Sequence, residues 1–379
     1  MKNKKKAIIF GAFVASFCVL TAFSSSLKSS LDSQNMAKRW SADGSEFAQI
    51  SVFYPDSATY SYSEREAESL HDSIEQKMEE ESYKSKNEES HIFNDAYSSV
   101  ISNMNVNTKE GVGHTSSEIG IVGIGGDFFE FHPLELLSGN YIYSEELANN
   151  RVVLDEDAAW KLFASTDIIG MKIYINDAEL EVAGVVRHEK GKAVENSYPE
   201  KSLIYAHYSL LETAGCSTAL SSYEAVLPNP VDNYAKNIFL NHYGVDTTTA
   251  VEGEDDPEKS LPFVIVDNTK RYSVSNLWKS LLSFGKGSAV TRPIAFPYWE
   301  NAARIVNAWL TLLFLFTVLV VAYIIITVIV FVAKLYLNRK WHLKPFIEKL
   351  TDKYTYKKRT RDYINVDMNL IDGKESRYE

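Results

Sequence analysis

The feature that most constrains this chain is a long apolar stretch in its C-terminal part. Ile305–Ala333 has 29 residues and no charge, and 20 of them are Ile, Leu, Val or Phe. As a helix with about 1.5 Å rise per residue it would be roughly 43 Å long, which exceeds the ~30 Å hydrocarbon core of a bilayer. Buried helices of soluble proteins rarely run so far without a polar face. The stretch therefore predicts a transmembrane helix over 305–333.

A second apolar run follows the basic start of the chain. Residues 1–6 read MKNKKK, and Ala7–Phe23 is mostly apolar. The pattern is typical of a membrane anchor or of a secretory signal peptide, for which Ala22-Phe23-Ser24 offers a cleavage site. A lipoprotein is disfavoured, because Phe17 precedes Cys18 where a small residue is expected. We interpret 7–23 as a first transmembrane helix, with cleavage as the alternative.

The charges predict an orientation for both spans. Four lysines precede the first apolar run, and Lys334–Arg361 holds ten Lys or Arg against two acidic residues. The positive-inside rule therefore places both the N-terminus (1–6) and the tail (334–379) in the cytoplasm of a cell membrane. Between Ser24 and Ala333 there are 23 basic and 43 acidic residues. Region 24–304 is expected to be an acidic extracytoplasmic domain, and nucleic-acid binding is set aside because it needs a basic surface.

Cysteine usage limits how this exported region is held together. Cys18 lies in the first apolar run, which leaves Cys216 as the single cysteine of the exported region. A disulfide within that region is therefore not expected, and a hydrophobic core must hold it. The region is long enough for two lobes.

A strand–helix–strand pattern opens the exported region. Glu46–Tyr54 and His91–Val106 are predicted strands, and Tyr62–Tyr83 between them is a predicted helix. In that helix Ser63 and Glu66 have the spacing of a capping box. Its inner face carries apolar residues at helical spacing, namely Ala67, Leu70, Ile74 and Met78.

A similar pattern closes the region. Ser222–Leu227 is a predicted strand, Val231–Tyr243 a helix started by Asn229-Pro230 and ended at Gly244, and Pro262–Asp267 a second strand. Ser273–Phe284 is then a short helix. Two such halves predict a split ferredoxin-like lobe, within an α+β domain, with an inserted, mainly β lobe over about 112–207 that has its own sheet. Ser24–Asp43 is expected to be a linker or the solvated continuation of the first helix, and loops are expected at Lys84–Glu89 and Val251–Lys259.

The insertion carries a distinctive order of motifs. Its predicted strands are Ile119–Gly125, Arg151–Leu154 and a hairpin of Gly170–Ile175 with Glu179–Val186, turned by Asn176-Asp177. Asp155 is a helix N-cap, and Ala158–Phe163 the helix that follows. The local motifs, in order, are Asp127-Phe128-Phe129, Leu136-Leu137-Ser138-Gly139, Arg151-Val152-Val153-Leu154-Asp155, Ala159-Trp160-Lys161-Leu162-Phe163, Asp167-Ile168-Ile169-Gly170 and Val182-Ala183-Gly184-Val185-Val186.

This order resembles the MacB-like periplasmic core domain of ABC transporter permeases of the FtsX/MacB type. The resemblance implies an ectodomain with a ferredoxin-like lobe and an inserted lobe, which changes shape as a cytoplasmic ATPase cycles. In permeases of the family three more helices usually follow the ectodomain, whereas in this sequence one span and a tail of 46 residues follow it. The partners expected are membrane lipid, an ABC ATPase and a multi-span permease subunit, with a homodimer as a further possibility.

The function expected is that of a permease-type subunit that couples ATPase-driven motion to export or release of a substrate. The alternative is a membrane-anchored binding or sensor protein without a transport role. The chain is not expected to be an enzyme, and no catalytic, cofactor or metal residues are assigned. The sequence has no Walker A motif and no G-x-S-x-G elbow, and its eight histidines are scattered. His188 and His207 are expected at strand ends or on the surface.

Two clusters invite a binding interpretation but do not support one. Gly123-Ile124-Gly125-Gly126 resembles a phosphate loop, yet Asp127 follows it and no lysine is placed to help. Carboxylates and a histidine crowd the next stretch, but without the spacing of a zinc site. We predict a packed loop with outward polar groups, the residues concerned being Asp127, Glu130, His132 and Glu135 among Phe128, Phe129, Phe131 and Leu134.

Three surfaces have membrane or partner interpretations. The acidic helix face Glu64–Glu81 is interpreted as a solubilising surface, with a cationic peptide contact as the alternative. Phe296, Tyr298 and Trp299, with Trp309 one turn inside, are predicted to form an aromatic belt at the outer membrane interface. In the basic tail an apolar set alternates with Lys and Arg, which fits a helix on anionic lipid or a docking site for an ATPase. That set is Tyr336, Trp341, Leu343, Phe346 and Ile347.

Overall fold

A computed structural model describes most of the chain. The described residues are 2–40, 47–55, 62–83, 92–108, 116–143, 149–176, 178–189, 191–198, 202–245, 261–283, 296–338, 349 and 351–360. The predicted loops Lys84–Glu89 and Val251–Lys259 lie outside them, as do Trp341, Leu343, Phe346 and Ile347 of the tail. Two compact units are present, one formed by Val19–Phe316 and the other by Met1–Cys18 with Thr317–Glu379.

The described residues include ten α-helices and ten strands, together with a 3-10 turn at Asp32–Gln34. The helices are α1 (Lys2–Ser29), α2 (Met36–Trp40), α3 (Glu64–Glu80), α4 (Phe128–Phe131), α5 (Glu156–Phe163), α6 (Lys192–Glu195), α7 (Ser209–Thr213), α8 (Tyr234–His242), α9 (Val274–Leu282) and α10 (Tyr298–Asn338), with further helical residues at 351–360. The strands are β1 (Phe47–Phe53), β2 (Asn94–Asn107), β3 (Ser116–Gly126), β4 (Leu136–Gly139), β5 (Arg151–Asp155), β6 (Lys172–Ile175), β7 (Ala178–Val186), β8 (Leu203–His207), β9 (Ser222–Pro228) and β10 (Val264–Asp267).

Two helices are long and apolar enough to cross a membrane, over Lys4–Ser29 and Tyr298–Tyr336. Both extend beyond the apolar runs predicted from the sequence, and α1 includes Ser24–Ser29, which agrees with the interpretation of this part as a continuation of the first helix. Apolar helices of this length satisfy all their backbone hydrogen bonds internally, which is what a bilayer core demands. In the smaller unit the rings of Phe13 and Tyr323 stack with centroids 3.9 Å apart.

The first lobe is ferredoxin-like, as predicted. Its strands lie in the order β10-β1-β9-β2, and each neighbouring pair is antiparallel. In chain order these are two strand–helix–strand halves, with α3 in the first and α8 in the second, and the two helices pack side by side. The strand order is the split arrangement expected when each half crosses over a strand of the other.

Both helices of this lobe depart from their predicted starts. Ser63 is the N-cap residue of α3, but its hydroxyl makes no capping bond among the described residues. The Glu66 carboxylate lies 3.7 Å from His242 Nε2. The Ser63 carbonyl accepts from the Glu66 N–H instead, at 2.9 Å. The second helix begins three residues later than predicted, since Asn233 has a left-handed backbone (φ 66°). Asn229 still caps it, accepting from the Ala235 N–H at 3.1 Å.

The inserted lobe does not have its own sheet, contrary to the prediction. β2 is 14 residues long and belongs to both lobes, with a register shift between Ile101 and Met104 where it bends. From β2 the pairing runs through β3, β8, β5, β7 and β6 and returns to β2, so six strands form a closed ring. β4 pairs with β7 outside this ring. Closure removes the free edges that an open inserted sheet would expose.

The sheet has a separate core on each face. Along β8, Ile204 and Ala206 belong to one core, and Leu203 and Tyr205 belong to the other, because side chains alternate along a strand. The first core is covered by α3, α5, α7 and α8. The second core is covered by α2, α4, α6 and the first turns of α10, over Tyr298–Leu310. The long apolar helix α10 therefore begins inside the second core.

The Asp155 side chain stabilises the inserted lobe, and its removal is expected to lower the free energy of unfolding. Its Oδ1 accepts from the Ala158 N–H at 2.6 Å and its Oδ2 from the buried Leu203 N–H at 2.9 Å, while burial raises the pKa of the carboxyl. Asp155→Ala leaves both donors unpaired and should cost about 2–4 kcal/mol, measured by thermal unfolding of the full chain in detergent. Asp157→Ala, at the exposed position of the same turn, is the control and should cost under about 0.5 kcal/mol. Equal effects of the two changes would contradict this role.

One ion pair predicts a pH dependence. His71 Nδ1 lies 2.8 Å from Asp95 Oδ2, and this hydrogen bond raises the pKa of His71. A raised folded-state pKa means that the stabilisation is complete below about pH 6.5 and disappears as the pH rises through the folded pKa. His71→Gln should therefore lower the melting temperature more at pH 5.5 than at pH 8.5. The effect is expected to be a few tenths of a kcal/mol, because the pair is partly exposed. A larger loss at pH 8.5 would contradict it.

Candidate functional site

A buried ion cluster joins the start of α10 to the loop between β10 and α9. The Glu300 carboxylate is fully buried and accepts two hydrogen bonds from Arg271, Nη1 to Oε2 at 2.6 Å and Nη2 to Oε1 at 2.9 Å. Arg304, one turn further along α10, donates from Nε to Oε1 at 2.7 Å. Charged groups buried in proteins are generally paired and hydrogen-bonded in this way.

The cluster also reaches the segment that follows α1. Arg271 Nη1 lies 3.4 Å from Gln34 Oε1 and 3.3 Å from Asn268 Oδ1. The Arg304 guanidinium lies over the Phe296 ring at 3.7 Å, a cation–π contact. Charge-assisted contacts thus bind the first turns of α10 to the segment that follows α1 and to the residue that follows β10.

A second array of polar groups runs through the sheet. His132 Nε2 lies 2.6 Å from Glu224 Oε2, and the Ser51 hydroxyl donates to Glu224 Oε1 at 2.7 Å. The Asn268 amide donates to Ser51 Oγ at 2.7 Å. Asn268 belongs to both arrays, so hydrogen-bonding contacts connect His132 with Arg304. All the polar side chains of this second array are buried, and an array of this kind defines one arrangement of its elements because an unpaired member would be costly.

Aromatic rings pack around the same point. Trp299 is almost fully buried, with its ring centroid 4.4 Å from that of His132 and 5.7 Å from that of Phe128. The Tyr298 hydroxyl lies 3.3 Å from that of Tyr205 on β8. Trp299 Nε1 has no hydrogen-bond partner among the described residues. The indole therefore contributes through packing.

The surroundings of Tyr298 favour uncharged groups. Burial raises the pKa of Tyr205 and of Tyr198, whose ring stacks on Tyr298 at 4.0 Å, so both remain neutral hydroxyls. Burial also raises the pKa of Glu189, against the opposing effects of His132 and of a hydrogen bond with Tyr298. In buried surroundings of this kind, a side chain keeps its charge when an opposite charge or several hydrogen-bond donors stabilise it.

We call this arrangement the α10 junction. Its carboxylates are enclosed and already bound, so the geometry suits holding a helix in place and not catalysis. Movement of α10 relative to the sheet would separate buried charges, which makes the junction a rigid attachment. The residues of the α10 junction are Ser51, His132, Glu224, Asn268, Arg271, Trp299, Glu300 and Arg304.

The glycine-rich stretch considered as a phosphate loop lies within β3. A Cβ on Gly123 would meet the Leu211 side chain at 2.4 Å, and one on Gly125 would meet the Tyr97 ring at 2.1 Å. These glycines thus allow neighbouring side chains to pack against the strand. Gly126 has a positive φ of 62° and ends it.

The four polar residues considered as metal ligands are dispersed. Asp127 precedes α4, and Glu135 pairs with Arg187 at 2.8 Å. His132 is buried against Glu224, so the prediction that all four polar groups point outward is wrong for this residue. His132 points inward because it binds the buried carboxylate of Glu224, which lies 92 residues away in sequence. The four apolar neighbours are buried as predicted, and the described residues contain no cluster of three or more His, Cys, Asp or Glu that suits a metal ion.

The predicted aromatic belt is partly wrong. Tyr298 and Trp299 pack inside the ectodomain core, and Phe296 packs against Phe53 and Arg304. The reason is that α10 begins within the core, so its first turn faces protein. The two histidines predicted at strand ends are there, since His207 ends β8 and His188 follows β7 and pairs with Asp155.

The sequence interpretation missed the α10 junction. Glu300 and Arg271 are 29 residues apart, and no local motif links them. One signal was present, because Glu300 and Arg304 lie immediately before an apolar run. Charged side chains so close to a membrane span carry a free-energy cost unless they are paired.

Comparison with known families decides the affiliation. The family model of the MacB-like periplasmic core domain matches residues 7–251, well over half of the chain. The chain belongs to this family. It is therefore a membrane protein with an extracellular MacB-like domain, of the kind found in permease-type components of ABC transporters.

Solved structures of MacB-like domains show weaker overall similarity. The periplasmic region of MacB from Actinobacillus actinomycetemcomitans is 17% identical with a TM-score of 0.39, covering 63% of this chain and 94% of that one. The extracellular domain of the noncanonic ABC-type transporter YknZ from Gram-positive bacteria is 16% identical with a TM-score of 0.35, covering 52% of this chain and 96% of that one. No curated protein matches the chain.

Proposed function

We propose that this protein is a permease-type membrane subunit of an ABC transporter, whose extracytoplasmic domain couples ATPase-driven motion to export or release of a substrate. Family membership supports an ATPase partner, because MacB-like proteins work within ABC transporter systems. The observation that carries the proposal is the course of α10. It runs without interruption from Tyr298, inside the ectodomain core, to Asn338, beyond the apolar stretch.

A continuous helix anchored at one end transmits movement without chemistry. The α10 junction fixes the first turns to the sheet through a buried ion cluster and a buried indole. Displacing the helix there would separate buried charges, which is more costly than moving the sheet along with it. Tilt or rotation of α10 in the membrane is therefore expected to move both lobes of the ectodomain.

The proposed topology follows the charge distribution. Residues 1–6 and 334–379 are basic and cytoplasmic, 7–23 and 305–333 lie in the cell membrane, and the acidic region 24–304 is outside. The inserted lobe is assigned to about 112–207. The partners proposed are an ABC ATPase, a multi-span permease subunit and membrane lipid, with a homodimer as a further arrangement.

Gentle purification tests the proposal. An affinity-tagged full chain, extracted from its own cells in mild detergent, is expected to retain an ATPase and a multi-span membrane protein at fixed ratios. A variant that lacks 334–379 is the matched control, and loss of the ATPase from that variant alone would assign docking to the tail. Purification of the full chain alone or as a homodimer would contradict the transporter role and favour a membrane-anchored sensor.

A further inference from the structure

Helix α9 carries an apolar stripe that the described residues leave largely exposed. Val274, Trp278 and Leu282 are four residues apart, so they lie on one side of the helix, and they are 70%, 46% and 66% exposed. Leu277 is the buried residue that attaches the helix to the second core. Beside the stripe are Ser275, Lys279 and Ser283, which are exposed and polar. The helix is therefore amphipathic with its apolar side turned outward.

The segment that leads into α9 contacts α10 at successive positions along that helix. Arg271 binds Glu300, and the next residue, Tyr272, lies with its hydroxyl 3.3 Å from the Ala303 carbonyl. Trp278 then meets Phe314 edge to face, with ring centroids 6.0 Å apart. From Glu300 to Phe314 the axis of α10 advances about 21 Å. The stripe is thus level with the apolar part of a membrane-spanning helix.

We propose that α9 lies in the bilayer interface on the ectodomain side, with Val274, Trp278 and Leu282 inserted among lipid acyl chains. On either side of Phe314, α10 exposes further apolar residues, Leu312 at 43% and Phe316 at 56%. An outward apolar face beside a membrane span, bordered by polar residues, is the pattern of an interfacial helix.

The polar border fits the headgroup region. Trp278 has an indole that is favoured at the level of the headgroups, and Lys279 has a side chain long enough to extend toward lipid phosphates. Lys28, in the last turn of α1, donates to the Tyr272 carbonyl at 2.9 Å and so holds the segment that leads to α9. The ectodomain would then contact the membrane through α9 in addition to its two spans.

This inference rests on α10 spanning the membrane, and it does not require a transport role. If a second protein covered the stripe instead, either another copy or a multi-span subunit, the side chains of the stripe would be in a different environment. Nitroxide labels distinguish the possibilities, because oxygen concentrates among acyl chains and a water-soluble nickel chelate is excluded from them. A label covered by protein collides little with either reagent.

The experiment uses the full chain without Cys18 and Cys216, in vesicles of phosphatidylcholine and phosphatidylglycerol. Single cysteines are placed by Val274→Cys, Trp278→Cys and Leu282→Cys. Trp160→Cys is the matched control in water, since Trp160 is a 54% exposed tryptophan of the inserted lobe, and Phe316→Cys is the control in lipid. We expect greater oxygen than nickel collision at the three α9 sites and at 316, and the reverse at 160. Nickel collision at the α9 sites that equals that at 160, or protection from both reagents, would overturn the proposal.

Discussion

Replacing Glu300 by alanine is expected to destabilise the protein by about 3–5 kcal/mol. The change removes the carboxylate that both Arg271 and Arg304 bind. The Arg271 side chain is only 10% exposed, so its charge would stay buried without a partner, whereas Arg304 can extend toward solvent. Unfolding of the full chain in detergent, followed by tryptophan fluorescence, measures the loss.

A double substitution separates charge burial from simple loss of packing. Arg271→Met with Glu300→Leu removes both charges and keeps apolar volume, so it should be much less harmful than Glu300→Ala alone. A Glu300→Ala variant within about 0.5 kcal/mol of the original, a change typical of surface positions, would mean that the α10 junction does not hold the helix.

Replacing Trp299 by alanine is expected to cost about 3–5 kcal/mol, the range for removal of a buried aromatic side chain. The ring packs against His132 and Phe128, so its loss opens a cavity at the point where α10 enters the core. Trp299→Phe should cost much less. It leaves a smaller cavity, and it removes an indole N–H that has no partner among the described residues.

A second tryptophan of α10 provides the control. Trp309 is half-buried at the edge of the same core, so Trp309→Ala should cost clearly less than Trp299→Ala. The midpoint of thermal unfolding, with all variants in one detergent, compares them. Equal losses at 299 and 309 would show that the first turn of α10 is not specially fixed.

Local sequence patterns predicted the elements that depend on neighbours along the chain. The apolar positions of α3 repeat at helical spacing, and all four are buried. Asp155 caps α5 as expected, through a side-chain bond to Ala158. The split strand order was also predictable, because two similar strand–helix–strand patterns frame an insertion. In each case the information lies within a few residues or in the order of elements.

Contacts between distant segments were not predictable in this way. The ring of strands closes where β6 meets the end of β2, a pairing that no local pattern specifies. Tyr298 and Trp299 have the composition of a membrane-interface belt, and their packing against the sheet distinguishes them from one. The same holds for His132, whose partner Glu224 comes from a distant strand.

Cysteine labelling in sealed cells tests the central claim most directly, namely that an acidic ectodomain faces outward while the basic tail stays inside. In a chain without Cys18 and Cys216, Lys77→Cys marks the exposed face of α3 and Lys353→Cys marks the helical residues at 351–360. A small membrane-impermeant maleimide should label position 77 in intact cells and position 353 only after permeabilisation. Labelling of position 353 in intact cells, or protection of position 77, would contradict the account.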